Sequence, residues 1–268
     1  MIIGNKEFDL DNKGYIMGIL NVTPDSFSDG GKWNDVNKAL EHAKEMVNMG
    51  ATIIDVGGES TRPGYTKISD EEEINRVVPV IKAIKENLSV AVSIDTYKSE
   101  VARAALNAGA DMVNDIWGLK YDKNMAAVVS EFGVPVCIMH NRDNENYNSF
   151  MDDVIADLKE SIKIAKEANI KDENIMIDPG VGFAKSLEQN LEITNKLDRL
   201  GELGYPILLA TSRKSMIGLT LNVDKNERVE GTVATTVIGA MKGASIFRVH
   251  DVLENKRALD MTMAIKRS

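Results

Sequence analysis

Hydrophobic and polar positions follow two rhythms along this chain. Short runs rich in β-branched residues close on Gly, Asn, Asp, Ser or His, and each is followed by a stretch whose apolar residues recur every three or four positions. The short runs predict eight strands: Tyr15 to Asn21, Thr52 to Gly57, Val90 to Asp95, Asp111 to Asp115, Val134 to His140, Ile175 to Asp178, Ile207 to Ser212 and Ser245 to His250. The longer stretches predict helices over Val36 to Met49, Glu71 to Glu86, Ser99 to Ala108, Met125 to Glu131, Met151 to Ala168, Leu187 to Leu200, Val229 to Lys242 and Val252 to Ile265. Strands that are apolar at nearly every position, such as Val134-Pro135-Val136-Cys137-Ile138-Met139, belong in a parallel sheet buried on both sides.

Alternating strands and helices in these numbers predict an α/β fold, a closed (β/α)8 TIM barrel built as a single domain from residues 1–268. The alternative is a doubly wound open sheet, but its usual G-x-G-x-x-G turn is missing after the first strand. In a barrel, the loops that follow the strands line the active face. Two of them are long, Thr23 to Asn34 and Glu59 to Asp70.

Polar residues collect at the predicted strand ends: Asn21, Asp55, Asp95, Asn114, Asp115, His140, Asp178, Ser212, Lys214, Arg248 and His250. Each one alone reads as a cap or a strand-closing hydrogen bond. Together on one face they read as a site. Its cationic members are Arg62, Arg213, Lys214, Arg248 and His250, and a planar guanidinium beside a point-charge ammonium suits a pyrophosphate. The competing view makes the arginines surface partners of acids. It is weak for Arg248, which stands between Phe247 and Val249 in a strand where an unpaired charge is costly. Asp95 and Asp178, with Asn114 beside them, can accept parallel N–H bonds from a guanidine-like heterocycle edge. Those acids could instead ligate Mg²⁺.

Composition narrows the field. The 268 residues are 43% apolar and 27% charged, as in a globular protein, and aromatics at 5% leave the core to aliphatics. Forty-one acids against 32 bases, a net charge of -9, argue against broad binding to nucleic acid or anionic membranes, so any anion site is local. Cys137 is the single cysteine, so no intrachain disulfide forms, and it reads as a small core residue. The charged start MIIGNKEFDL is no secretion signal, and no apolar run reaches the roughly 20 residues of a membrane span. A reducing cytoplasmic location is expected. His42, His140 and His250 are too scattered for a zinc site, and neither a G-x-S-x-G elbow nor a P-loop is present.

The block from Met17-Gly18-Ile19-Leu20-Asn21-Val22-Thr23-Pro24-Asp25-Ser26-Phe27-Ser28-Asp29-Gly30-Gly31 resembles the first signature of the dihydropteroate synthase family. Asp55-Val56-Gly57-Gly58-Glu59-Ser60-Thr61-Arg62-Pro63-Gly64 resembles its second. Similar matches continue in order at Ser93-Ile94-Asp95-Thr96, Asn114-Asp115, Asp178 to Lys185, Thr211 to Ser215 and Arg248-Val249-His250-Asp251. The resemblance implies a barrel enzyme of folate biosynthesis that joins p-aminobenzoate to 6-hydroxymethyl-7,8-dihydropterin pyrophosphate, giving 7,8-dihydropteroate and pyrophosphate. It implies that Asp95, Asn114, Asp178 and Lys214 hold the pterin, and that Asn21 offers its side-chain oxygen to Mg²⁺. Arg62, Arg248 and His250 would grip the pyrophosphate. Thr61, Pro63, Phe183 and Ser215 would form the p-aminobenzoate wall, closed by Phe27 and Asp29. A dissociative, SN1-like path, a homodimer and inhibition by sulfonamides are further implications.

Two departures stand out. Asn141-Arg142-Asp143-Asn144 replaces the commoner Met- and Gly-containing continuation after His140, and Val181 stands where many relatives have an aromatic. Corrinoid methyltransferases that use methyltetrahydrofolate share the barrel and the pterin trio, but they have no pyrophosphate to grip. The Ser60 to Gly64 and Ser212 to Ser215 segments argue against them. A non-catalytic pterin-binding relative is the third reading, opposed by the presence of Asn21, Arg62, Lys214, Arg248 and His250.

Overall fold

The computed structural model describes residues 1–23, 32–59 and 67–268, the side chains of 32–34 excepted. Its strands are β1 (Ile2–Ile3), β2 (Lys6–Glu7), β3 (Tyr15–Asn21), β4 (Ile53–Gly57), β5 (Ala91–Asp95), β6 (Met112–Asp115), β7 (Val136–Met139), β8 (Ile175–Asp178), β9 (Ile207–Leu209) and β10 (Ala244–Val249). Its helices are α1 (Lys32–Asn48), α2 (Asp70–Asn87), α3 (Ser99–Asn107), α4 (Met125–Phe132), α5 (Phe150–Glu167), α6 (Leu187–Asn195), α7 (Ser215–Leu221), α8 (Val229–Met241) and α9 (Val252–Arg267). Strands β3 to β10 close into one parallel barrel in chain order, with β10 bonded to both β9 and β3. The closed barrel replaces the open-sheet alternative.

Two helix starts carry side-chain caps. Ser69 caps α2, its Oγ accepting from the Glu72 amide at 3.1 Å, and the acidic run Asp70 to Glu73 lies at the positive end of the helix dipole. Ser186 and Gln189 form a reciprocal capping box on α6. Strand ends are trimmed where the backbone cannot continue the ladder. Pro135, with no N–H to donate, precedes β7, although its carbonyl still accepts from the Val113 amide at 3.0 Å. The stretch after Leu209 turns away through Arg213 at φ 55°, so β9 ends before Ser212. The helix expected over Leu187 to Leu200 stops at Asn195 and resumes as a tighter 3-10 turn over Leu197–Leu203.

Side chains at alternate strand positions point inward. A lower layer of Met17, Ile53, Ala91, Met112, Cys137, Met176, Leu208 and Ile246 fills the barrel with apolar atoms. The small β1–β2 hairpin and its continuation plug the end beneath it, where Ile3, Phe8 and Leu10 join this cluster. Above it the inward positions become polar. The larger apolar cluster lies outside, between barrel and helices. Two ends thus differ in kind: one is sealed with hydrocarbon, and the other is lined with groups able to do chemistry.

Ile94 is fully buried between β5 and the outer helices, its side chain directed away from the polar interior. Ile94→Ala is expected to cost about 2–5 kcal/mol in unfolding free energy, read as a lower denaturation midpoint with an unchanged slope.

Candidate active site

Strand register brings the polar row together. Asn21 pairs with Gly57, Gly57 with Asp95, and Asp95 with Asn114 across four neighbouring strands. Gly57 is the clearing in that row. A methyl group placed there would sit 3.6 Å from Asp95 Oδ2 and 3.9 Å from Asn21 Oδ1. Asn21, Asp95 and Asn114 of that row line a cavity of about 640 Å³, together with Ile19, Met139, Asp178, Phe183, Arg213, Lys214, Ser215, Arg248 and His250. A second cavity, about 650 Å³, opens at the opposite, N-terminal end of the strands among Phe8 to Asp11, Asp172, Glu173 and Leu203 to Pro206. It holds none of the convergent chemistry.

Arg248 reaches inward from β10 and grips two acids at once. Nε donates to Asp55 Oδ2 and Nη2 to Asp95 Oδ2, both at 2.5 Å. Asn114 Nδ2 adds a bond of 3.2 Å to the same Asp55 oxygen. Asp55 Oδ1, Asp95 Oδ1 and Ser93 Oγ have no hydrogen-bond partner among the described residues. Burial raises the pKa of Asp95 to about 7; Arg248 opposes the rise, and Asp55 adds to it. Two carboxylates facing one guanidinium keep the latter's pKa well above its usual value, even against burial.

Asp178 closes β8 across the cavity. Its Oδ1 accepts from the Gly180 amide at 2.7 Å, and burial raises its pKa while Lys214 opposes. Lys214 hydrogen-bonds the Val181 carbonyl, and its Nζ sits 4.8 Å from the centroid of the Phe183 ring. Burial lowers its pKa to about 8, with Asp178 pulling the other way. His250, pushed down to about 3 by burial and then by Arg248, is a neutral imidazole. Its backbone amide donates to Ser212 Oγ at 3.0 Å, and the same hydroxyl is 3.0 Å from Nδ1. In the tautomer in which Ser212 donates to Nδ1, the His250 proton sits on Nε2, a donor for the cavity.

Asp115 and His140 do other work, and Arg213 lines the cavity while tied to an acid. Asp115 accepts from the Trp117 and Leu119 amides at 2.9 and 2.7 Å, so it caps the turn after β6. Arg213 is held by Asp251, with Nε to Oδ2 at 2.8 Å and a second bond from Nη2. His140 is buried between Asp157 and Lys185. Among the described residues no three His, Cys, Asp or Glu side chains converge to cage a metal. Asn21, a cavity residue whose amide oxygen lies beside Gly57, suits a hard cation that draws most of its ligands from phosphate and water.

Residues 17–250 match the family described as pterin binding enzyme. The chain is 65% identical to a dihydropteroate synthase of Clostridium beijerinckii over 268 residues, the full length of both. The chain belongs to the dihydropteroate synthase family. Membership makes it an enzyme, a transferase that forms dihydropteroate. Solved family structures superpose closely. The Clostridium difficile dihydropteroate synthase determined in the presence of pteroic acid has a TM-score of 0.96 and 54% identity, covering 98% of this chain and 100% of that one. The Xanthomonas albilineans dihydropteroate synthase with 4-aminobenzoic acid has a TM-score of 0.92 and 42% identity, covering 97% and 95%.

Of the family-signature residues, Asn21, Asp95, Asn114, Asp178, Phe183, Lys214, Ser215, Arg248 and His250 all line the one cavity. Phe27, Asp29, Thr61, Arg62 and Pro63 lie outside the described residues. Asp55, one of the polar strand residues singled out in the sequence, proves to be a partner for Arg248, a role that only its inward phase, shared with Ile53 and Gly57, marks. One contributor to the cavity escaped the sequence reading. Arg228, which lines the cavity from the start of α8, carries no motif that would single it out.

Two shifted groups in the cavity lining bear on its pH range. Asp95 is charged only above about 7, and Lys214 only below about 8. A bell-shaped kcat/KM profile is expected, rising through the first value and falling through the second, since this constant reports the free enzyme. Replacing Asp95 by Asn should remove the acidic limb along with most of the activity.

Proposed function

We propose that this chain makes 7,8-dihydropteroate from 6-hydroxymethyl-7,8-dihydropterin pyrophosphate and p-aminobenzoate by a dissociative, SN1-like substitution at the pterin methylene carbon. The observation that carries the reading is the cavity's polarity. Buried acceptors, Asp95 Oδ1 foremost, stand at one side, and cationic or N–H donors, Lys214, Arg248 and His250, share the same walls. Asp95 and Asp178 accept from the N–H edge of the pterin, Asn114 donates and accepts beside them, and Lys214 completes this subsite. We assign the p-aminobenzoate subsite to Phe183 and Ser215, which line the cavity, and, from the family signatures, to Thr61, Pro63, Phe27 and Asp29.

Breaking the carbon–oxygen bond sends its electron pair to the pyrophosphate. Arg62, Arg248 and the Nε2–H of His250 stabilise that growing charge where it appears, which is where such contacts are worth most. The electron-rich pterin shares the positive charge left on the methylene, and ionised Asp95 faces it. The lone pair of the arylamine then forms the carbon–nitrogen bond, and the resulting ammonium loses its proton without a dedicated base. Asn21 would hold Mg²⁺ through its side-chain oxygen, and the ion when bound supplies further neutralisation of phosphate oxygens. No other step depends on it.

Leu219 and Leu221 of α7, Ile238 and Met241 of α8, and Met261 and Ile265 of α9 are exposed apolar residues on the outer helices, which supports a homodimer away from the active face. No helix among the described residues is long and apolar enough to cross a membrane, in keeping with a cytoplasmic enzyme. Small molecules are its partners, with no nucleic acid or membrane, and sulfonamides that imitate p-aminobenzoate are its expected inhibitors.

Formation of 7,8-dihydropteroate is the test: it should appear, with one pyrophosphate released per product, when the pterin pyrophosphate and p-aminobenzoate are both supplied, and failure of the pair to give it would overturn the reading. Arg62→Ala is expected to lower turnover on the order of 10²-fold while binding of the pterin ring, measured by calorimetry with a pterin lacking the pyrophosphate, is largely kept.

A further inference from the structure

Behind the cavity, and outside its lining, a chain of polar groups runs inward from the surface to the turn after β8. Arg142 Nε donates to Asp157 Oδ2 at 2.6 Å, and His140 Nε2 lies 2.9 Å from the same oxygen. His140 Nδ1 is 2.8 Å from Lys185 Nζ, which also donates to the carbonyl oxygens of Gly180 and Phe183, each at 3.0 Å. The protons in this chain are determined by chemistry. The Asp157 carboxylate is held well below its usual pKa by the His140 and Arg142 hydrogen bonds, against burial, so it only accepts. Nε2 of His140 must therefore carry the proton, and Nδ1 must accept from Lys185. Three acceptors around one nitrogen require three N–H bonds, which only the ammonium form of Lys185 has. The charge is buried, with 6% of the residue exposed, and burial lowers the Lys185 pKa to about 7 while Asp178 opposes the fall, so the hydrogen-bond geometry around Nζ is what calls for the ammonium.

The segment tied by that ammonium serves two subsites. At one end Gly180 donates to Asp178 Oδ1 at 2.7 Å, aiming that carboxylate into the cavity. At the other, the Phe183 carbonyl is fastened while its ring lines the same cavity. The turn has little room to shift. Gly180 has φ +68°, and a Cβ there would fall 1.9 Å from the His140 carbonyl oxygen. Tyr147 adds a bond from its hydroxyl to the Ala184 carbonyl at 2.8 Å.

We propose that Lys185 is a positioning residue that sets both substrate subsites at once, its one ammonium fixing the turn that presents the Asp178 carboxylate to the pterin and the Phe183 ring to the aminobenzoate. It does not line the cavity, so it acts through the turn. The inference rests on the subsite roles proposed above for Asp178 and Phe183.

Lys185→Met keeps the length of the side chain and removes every donor. With the other substrate saturating in each case, the KM for the pterin pyrophosphate and the KM for p-aminobenzoate are both expected to rise at least about tenfold, with kcat within about threefold of the parent. Asp178→Asn and Phe183→Ala serve as references, the first raising only the pterin constant and the second only the aminobenzoate constant. If the references behave so while Lys185→Met changes neither KM, or only one, or lowers kcat alone as a loss of folded molecules would, the proposal is overturned and the subsite roles stand. If the references themselves fail, the subsite roles fall. Should Lys185→Met not fold, Asp157→Ala loosens the same chain from its surface end. It is expected to raise both constants in parallel by about threefold, and a change in one alone, or in neither, contradicts the proposal.

Discussion

One guanidinium holds the active end of this barrel together. Arg248 lies between Asp55 and Asp95 with a bond to each, inside a protein that has filled the layer beneath with hydrocarbon. Two carboxylates so close would repel each other strongly in a medium of low polarizability, and removing the cation would strand them. Ionisation of one acid therefore depends on its neighbours. Asp95, with a pKa raised to about 7, is balanced between its two states near neutrality. Its second oxygen, buried and without a partner among the described residues, is an acceptor that a bound heterocycle can satisfy.

The same economy runs through the other groups. Lys214 is lowered to about 8 beside Asp178, and His250 is driven neutral by burial and by Arg248. A neutral His250 adds an N–H dipole without another full charge, which would be costly next to Arg248. The result is a surface ready for an anion yet not overcharged before one arrives. Lys185 extends the principle one shell further back, as a buried cation that shapes the wall while taking no place in it.

Much of this was legible in the chain. The eight barrel strands show as β-branched runs, and their polar terminal residues predict the working face, because register in a parallel barrel leaves no choice about which end they share. The β1–β2 hairpin was not legible, since strands of two residues have no period to detect. Helix α7 escaped for a similar reason, being only seven residues long. Asp115 looks as functional as Asp178 in one dimension; only its partners, the Trp117 and Leu119 amides, assign it to structure, whereas Arg213 lines the cavity while paired with Asp251. The unusual Asn141 to Asn144 segment after β7 became intelligible only with its contacts, because Arg142 is the outer member of the chain that ends on Lys185.

The most direct test of this charge balance is a carboxyl-carbon NMR titration of Asp95 in the wild-type enzyme, free and with a bound pterin. The account predicts a midpoint near 7 in the free protein and a fall toward the ordinary carboxylate range once the heterocycle's N–H edge satisfies the anion. A free-protein midpoint already near that of an exposed aspartate, unmoved by the ligand, would contradict it.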